Sequence, residues 1–433
     1  MQRCLVRLVA ALACLCGSAA AAVAQAITTA PEQADWTQFR GPGGTGVAAG
    51  RAAPVKWGPD ENIRWKAELP GAGASSPVLA GDGIFLTAYS GYGVPGTGGD
   101  IRQLKRHVLC FDRATGRPVW SRDVEARQPE QERVREDHGY STSTPAVDDQ
   151  RVYVFFGTSG VFAFDCDGRQ LWQADVGSRT NGWGSAASPV IVGELLVVNA
   201  SVESESIVAL DRTTGKQVWR TDGIRDAWNA PVLVNVPGGT PPRELVVAMI
   251  QKVIGLDPAT GARLWSCDTG INWYMVPGLV SDADGVVYCI GGRTGGALAV
   301  RAGGRGDVTA SHRLWTGTRG SNVSSPVLAG EHLYWAHENR GEIYCARAHT
   351  GEIVYEQRLD RAGQIYASPV LSGGNLYYLT RDGRTFVVAA APEFKLLSTN
   401  ELESRGSFNA SPAVADGALY LRSNRYLYCV AED

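Results

Sequence analysis

Seven short stretches carry the residue types that could recognise a ligand: "HGYSTS", "NGWGSAA", "RDAWNA", "NWYMV", "RGSNVS", "QIYA" and "SFNA". They contribute His138, Tyr140, Trp183, Trp228, Asn229, Trp273, Tyr274, Asn322, Tyr366 and Asn409. Neighbouring loops add Arg293, Glu338, Arg340, Arg381 and Arg422. Aromatic planes stack on flat groups, Asn offers a donor and an acceptor, and Arg reads carboxylates with two parallel hydrogen bonds. Around a concave mouth this set suits a small anionic or planar ligand. The structural alternative is that the aromatics fill a channel entrance while the arginines are solvated loop residues. Acid–base catalysis would draw on Glu338 or Asp137, but no paired-carboxylate spacing can be read across the repeats. Asp137, Asp226 and Glu338 could supply carboxylates to a metal, but no metal shell can be assembled from them.

Metal and nucleotide motifs give no support to other chemistry. "GPGGTG" (Gly41 to Gly46) and "GYGVPG" (Gly91 to Gly96) both fit GxGxxG. The first follows no strand, the second contains Pro95, and neither opens a helix whose N-terminus could meet a pyrophosphate. No P-loop, GxSxG, HExxH or EF-hand spacing occurs. His332 and His337 share a strand region but point to opposite faces, so no metal pair is expected there.

The elements that must position these residues are repeats. A strand opening on a small or polar residue and then Pro recurs at Pro77, Pro145, Pro189, Pro231, Pro277, Pro326, Pro369 and Pro412. The intervals are 68, 44, 42, 46, 49, 43 and 43 residues. Each period continues with a polar turn, an alternating apolar strand such as "RVYVFF", a variable loop, a third strand such as "SIVALD", a tight turn such as "DRTTG" and a fourth strand such as "KQVWR". Period-two alternation bounded by Gly and Asp predicts short antiparallel strands. Four strands every 42 to 49 residues predict an all-β propeller, one blade per repeat.

One fourth-strand position carries Trp120, Trp172, Trp219, Trp265 and Trp315, with Tyr355 in the sixth unit and Leu397 in the seventh. Such a stripe reads as wedges between blades rather than a binding site, each burying about 150–250 Å². Third-strand positions in "VLCFD", "IYCAR" and "LYCVA" match Ala209 and Gly255, so Cys110, Cys345 and Cys429 occupy a small buried slot rather than a metal or redox site. First strands line the channel of a propeller, so the stretches listed above ring one mouth. The insertions Ser90 to Lys105 and Ala126 to Asp137 fall on the same face.

Composition agrees with an exported globular protein. The chain has 433 residues, 44% hydrophobic and 20% charged. Residues 1–26 read as a cleaved signal peptide: Arg3 and Arg7, an apolar run from Leu8 to Val23, then a small-x-small step. Neither Cys14 nor Cys16 follows the step expected of a lipidation site. Removing Arg3 and Arg7 takes the formal charge from −3 to −5, so no basic excess exists to attract nucleic acid. No other apolar run is long enough to span a bilayer. A periplasmic or secreted monomer is expected, with residues 27–60 an extended arm and residues 61–433 the propeller.

With "FDRATGRPVW", "LDRTTGKQVW", "LDPATGARLW" and the opening "DWTQFRGPGGTGV" in view, the chain resembles the PQQ-like (quinoprotein alcohol dehydrogenase-like, BamB-like) β-propeller repeat family. The resemblance covers nearly all of the chain after the signal peptide. It implies an eight-bladed propeller and two functional outcomes. One is a quinoprotein oxidoreductase holding pyrroloquinoline quinone (PQQ) with calcium; the vicinal cysteine pair common in such enzymes is absent here, as is a CxxCH haem motif. The other, which the residues favour, is a ligand-binding or scaffold module of the cell envelope, with a small ligand or an envelope protein as partner. A carbohydrate-active enzyme using the same face is a further alternative.

The ends of the chain complement each other. The last unit, "ASPAVADGALYLRSNRYLYCVAED", has three strands and no tryptophan strand; "NIRWKAEL" near the start is one tryptophan strand without the other three. Pairing them makes an eighth blade, closes the ring and removes its open edges. "GAGASS" leads into the first blade without an aromatic, so room for a ligand is expected in that sector, under the Ser90 to Lys105 insertion.

Overall fold

Each Pro-led repeat forms one antiparallel sheet whose strands lie in chain order from the channel outwards. The computed structural model describes residues 35–402 and 406–432; the signal peptide expected over residues 1–26 and the first part of the expected arm lie outside these described residues. Blade 1 consists of Val78–Ala80, Gly83–Ser90, Lys105–Asp112 and Pro118–Glu125. Seven further sheets follow the same plan and make an eight-bladed propeller. Blade 4 departs from four strands. The connection between the third and fourth strands of blade 5 swings back, and Gly306–Asp307 pairs in parallel with Trp265 and Ser266 on the outer edge of blade 4.

The eighth blade closes the ring. Ile63–Glu68 pairs antiparallel with Tyr426–Val430, placing Trp65 opposite Cys429. The half-repeats at the two ends therefore form one four-stranded sheet on the common plan.

The tryptophans hold neighbouring blades together. Each faces a small third-strand residue of its own blade: Cys110 with Trp120, Ala209 with Trp219, Gly255 with Trp265. The Trp172 indole N–H then donates to Arg212 O (3.1 Å) in the Asp-x-x-Thr-Gly turn of the next blade. Trp65 does the same to Arg113 O at 3.2 Å, so the latch joins blade 8 to blade 1 by the common device. Gly215 ends the turn beneath Trp172 with φ of 71°, and a Cβ there would stand 2.6 Å from the indole. Only glycine meets both demands. The turn itself is pinned by Asp211, whose Oδ1 accepts from Thr214 N at 2.7 Å.

Blade 7 corrects one expectation. A register shift puts Ser398 opposite Val387, and Leu397 falls in the irregularity beside it, so Leu397 does not take the tryptophan position. Ser398 Oγ instead donates to Val55 O of the arm. In blades 2, 5 and 8 a second-strand tyrosine packs on the outer-strand tryptophan, as in Tyr153 with Trp172 at 5.9 Å. Tyr377 of blade 7 stacks on Trp57 at 6.3 Å, so the arm supplies the ring that the blade lacks.

The arm runs along the face that carries the short turns. Trp36 pairs with Leu79 of blade 1, and Thr37 O accepts from Val147 N of blade 2. Arg40, 1% exposed, reaches across to donate to Pro326 O of blade 6. Gly46 O and Ala48 N then bond Leu371 of blade 7, and Ala53 O accepts from Tyr377 OH. The channel is thereby closed at the turn face.

A belt of hydroxyls encircles the channel one residue before the prolines. Ser411 N donates to Ser76 Oγ, Ser76 N to Thr144 Oγ1, and Thr144 N to Ser188 Oγ. Ser325 N donates to Ser368 Oγ and Ser368 N to Ser411 Oγ, all at 2.9–3.0 Å. Ala230 and Val276 interrupt the belt at blades 4 and 5. Ser368→Ala removes one link and strands the buried Ser325 N–H, so it should cost about 1–3 kcal/mol. Urea unfolding checks this; no change in midpoint would show that the belt carries no stability.

Candidate functional site

The first strands of a propeller converge, so the residues entering them surround one cavity. It measures about 160 Å³ and holds His138, Trp183, Trp228, Asn229, Tyr274, Asn322, Glu338 and Tyr366 in its lining. Phe39 of the arm lies at the same cavity and also lines a smaller one with Arg40, so that among the described residues the arm covers the channel at the turn face and the cavity opens toward the elaborated face.

Three aromatics form one wall. Tyr274 lies 5.3 Å from Trp183 and 5.5 Å from Trp228 between ring centroids. Trp228 is fixed by an N–H bond to Gly184 O at 2.8 Å. His138 meets Trp183 edge-on at 5.8 Å; burial pushes its pKa down to about 4, so the imidazole is neutral at neutral pH. Asn229 is not available to a ligand, because its Nδ2 donates to Ala248 O (2.7 Å) and its Oδ1 accepts from Ala248 N. Tyr366 stands opposite, with the Arg381 guanidinium 4.6 Å from its ring centre.

Ala126 to Asp137 straps part of the mouth. Glu130 is clasped by Arg106 at 2.5 Å in a buried pair. At the other end Asp137 meets Arg381 of blade 7 at 2.5 Å, and its carbonyl accepts from Asn409 Nδ2 at 2.8 Å. Beyond the strap a second cavity of about 160 Å³ opens among Ala72, Gly73, Ala74, Tyr89 and Pro95, in the sector under the Ser90 to Lys105 insertion.

Six of the sequence-derived residues lie elsewhere. Tyr140 is buried under the strap, donating to Gln131 O at 2.7 Å. Trp273 packs on Tyr274 at 4.8 Å, and Arg293 lies over Trp273. Arg340 faces solvent beside Glu342. Arg381 is spent on Asp137, Asn409 and Gln364. Arg422 is 1% exposed and donates to Ser75 O and Oγ at 2.6 Å; burial lowers its pKa to about 9. The common reason for the arginines is position. Arg293, Arg340 and Arg381 are carried by loops between second and third strands, and Arg422 ends a second strand, so all four start at least one strand spacing (about 4.8 Å) outside the channel-lining strand. Sequence reasoning omitted Arg135, Phe39, Asn339 and the hydroxyl belt. Only the belt had a signal, the Ser or Thr before six of the eight prolines.

The profile of the outer membrane protein assembly factor BamB family matches residues 104–357. The chain belongs to that family. The BamB-family relative from Burkholderia pseudomallei (strain K96243), itself described as outer membrane protein assembly factor BamB, is 26% identical over 190 residues. The chain spans about 40% of that relative's length in this match, and the match covers 40% of this chain. Among solved structures, BamB from Moraxella catarrhalis shares 17% identity with a TM-score of 0.61 over 86% of this chain and 97% of that one. The quinohemoprotein alcohol dehydrogenase from Comamonas testosteroni shares 11%, with a TM-score of 0.66 over 92% and 81%. At these identities the structures share the fold alone.

The residues present do not fit PQQ with calcium. No group of three or more His, Cys, Asp or Glu able to hold a metal ion occurs among the described residues. Of the four arginines expected to read carboxylates, none lines the central cavity; the one arginine in its lining, Arg135, lies beside Asp137 and over Trp183. Its volume is also below the roughly 300–1,000 Å³ of pockets for drug-sized ligands.

Proposed function

We propose that this BamB-family chain is an exported, non-catalytic binding propeller of the cell envelope, acting as a scaffold that engages its partner through the elaborated mouth and the pocket within it. The observation that carries this reading is the arm. By covering the channel at the turn face it leaves the entrance on the elaborated face, and all the elaboration, strap and aromatic wall lie at that entrance. The carboxyls of the pocket are already engaged by protein donors: Asp137 by Arg381, and Glu338 by Ser321, Asn322 and Asn339. Neither is arranged as a free acid–base pair, which favours binding over glycoside or quinone chemistry. The family's description and the signal-like residues 1–26 support an envelope location.

The test uses photo-crosslinking in envelopes, with the reactive side chain at Arg293 on the mouth or at Glu331 on the turn face, both exposed. Position 293 should form a defined adduct and position 331 should not. Equal adducts, or none at 293, would overturn the proposed docking face.

A further inference from the structure

The charges of the central pocket are unevenly answered. Asp137 is answered by Arg381 at 2.5 Å and Arg135 at 3.6 Å. Glu338, 3% exposed, has no Lys or Arg nitrogen within 4 Å among the described residues. Its oxygens accept only from neutral donors: Asn322 N at 3.0 Å, Asn339 Nδ2 at 3.2 Å and Ser321 Oγ at 3.3 Å. His337 Nδ1 lies 3.7 Å away and accepts from Asn339 N at 3.2 Å. Beside this carboxyl, Asn322 Oδ1 is buried and accepts from nothing. A buried carboxyl with no Lys or Arg within 4 Å, an orphaned acceptor and three aromatic rings share one cavity. Of the rings, Trp183 already carries the Arg135 guanidinium 4.7 Å from its centre, which leaves Trp228 and Tyr274 without a cation of that cavity's lining over them.

Buried charges are normally paired, and aromatic walls attract cations through the negative faces of their rings. We propose that the pocket takes an organic cation with N–H donors, an ammonium or guanidinium on a short apolar stem, its head at Glu338 and Asn322 and its stem against Trp183, Trp228 and Tyr274. The small volume suits a group of that size. The inference rests on the binding-propeller reading and reverses the anionic ligand expected from the loop arginines. One chemistry has two sources here: a free small amine, or a Lys or Arg side chain presented by the partner.

Calorimetric titration of the mature chain with agmatine, with a terminally blocked Gly-Lys-Gly peptide, and with glucuronate and PQQ as acidic controls tests this. At least one cationic probe should bind, and the preferred one identifies the source. Glu338→Gln should weaken that binding about 10–100-fold. Trp183→Leu, at a half-buried position, provides a second variant should the first fail to fold, and should weaken cation binding as well. Binding of the acidic probes alone would overturn the cation and keep a binding pocket. Binding of no probe, with the Arg293 adduct intact, would overturn the cation and keep the scaffold.

Discussion

Trp265→Ala is expected to lower the unfolding free energy by about 3–5 kcal/mol, more than any other outer-strand tryptophan substitution. Trp265 is 2% exposed, the most enclosed of the set. It fills the space over Gly255, where a Cβ would stand 2.2 Å from the indole nitrogen. Its N–H donates to Glu244 Oε2 at 2.6 Å, and that carboxyl is fully buried. Truncation therefore opens a cavity and removes a donor from a buried acid in one step. Gly303 N and Arg305 would still serve Glu244, which keeps the loss within the stated range. Trp120 is half-buried and bonds a turn carbonyl, so Trp120→Ala should cost clearly less. Urea unfolding of the two variants decides the matter; a Trp120 loss equal to or above that of Trp265 would refute the assignment.

The second large effect is a pH profile. Burial raises the Glu203 pKa from 4.5 to about 7, against the lowering bond from Ser185. A raised acid holds its proton more tightly when folded, so its contribution is fully present below about 4.5 and is lost as pH rises through about 7. The shift corresponds to about 3 kcal/mol. Burial acts in the opposite sense on His138, lowering its pKa from 6.5 to about 4. That contribution is present above about 6.5 and is lost as pH falls through about 4. In the wild-type chain the two oppose each other across the same window and flatten the curve. Glu203→Gln should therefore match wild type near pH 4 and exceed it by about 3 kcal/mol at pH 8. Its own stability should then fall steeply on acidification, exposing His138. Urea midpoints from pH 4 to 8 provide the check, and a difference independent of pH would contradict the account.

Much of the architecture was legible because it is periodic. Blade number, the tryptophan wedge, the small residue facing it and the Asp-turn-Gly beneath the preceding blade's ring each recur, so chance agreement is removed by repetition. Trp65 could be assigned to the last blade for the same reason, since it is one term of a series found at the wrong end. The cysteine positions followed as well: Cys110, Cys345 and Cys429 face Trp120, Tyr355 and Trp65. Leu397 failed by one residue. Every blade skips the residue before the facing position, as with Val218 before Trp219 and Val354 before Tyr355. In blade 7 the skipped residue is Leu397 and the facing one Ser398; with no aromatic there, the degenerate repeat does not mark which is which.

The candidate site was legible only in part. Of the residues entering first strands, Trp183, Trp228 and Tyr274 point inward and line the central cavity. Arg293, Arg340 and Arg381 were misjudged, because a loop between second and third strands shares the face of the disc but not the radius of the channel; Arg422, at the end of a second strand, is buried against Ser75. By itself the sequence determined the repeat, the number of blades, their closure and the face that carries the elaboration, all consequences of local alternation and turn chemistry. Only the tertiary structure decided that the arm covers the channel, that the strap ties Asp137 to Arg381 across the mouth, and that Glu338 has no Lys or Arg nitrogen within 4 Å among the described residues. Each of those contacts is made once between residues far apart in the chain, so no period announces it and only the folded geometry brings the partners within reach.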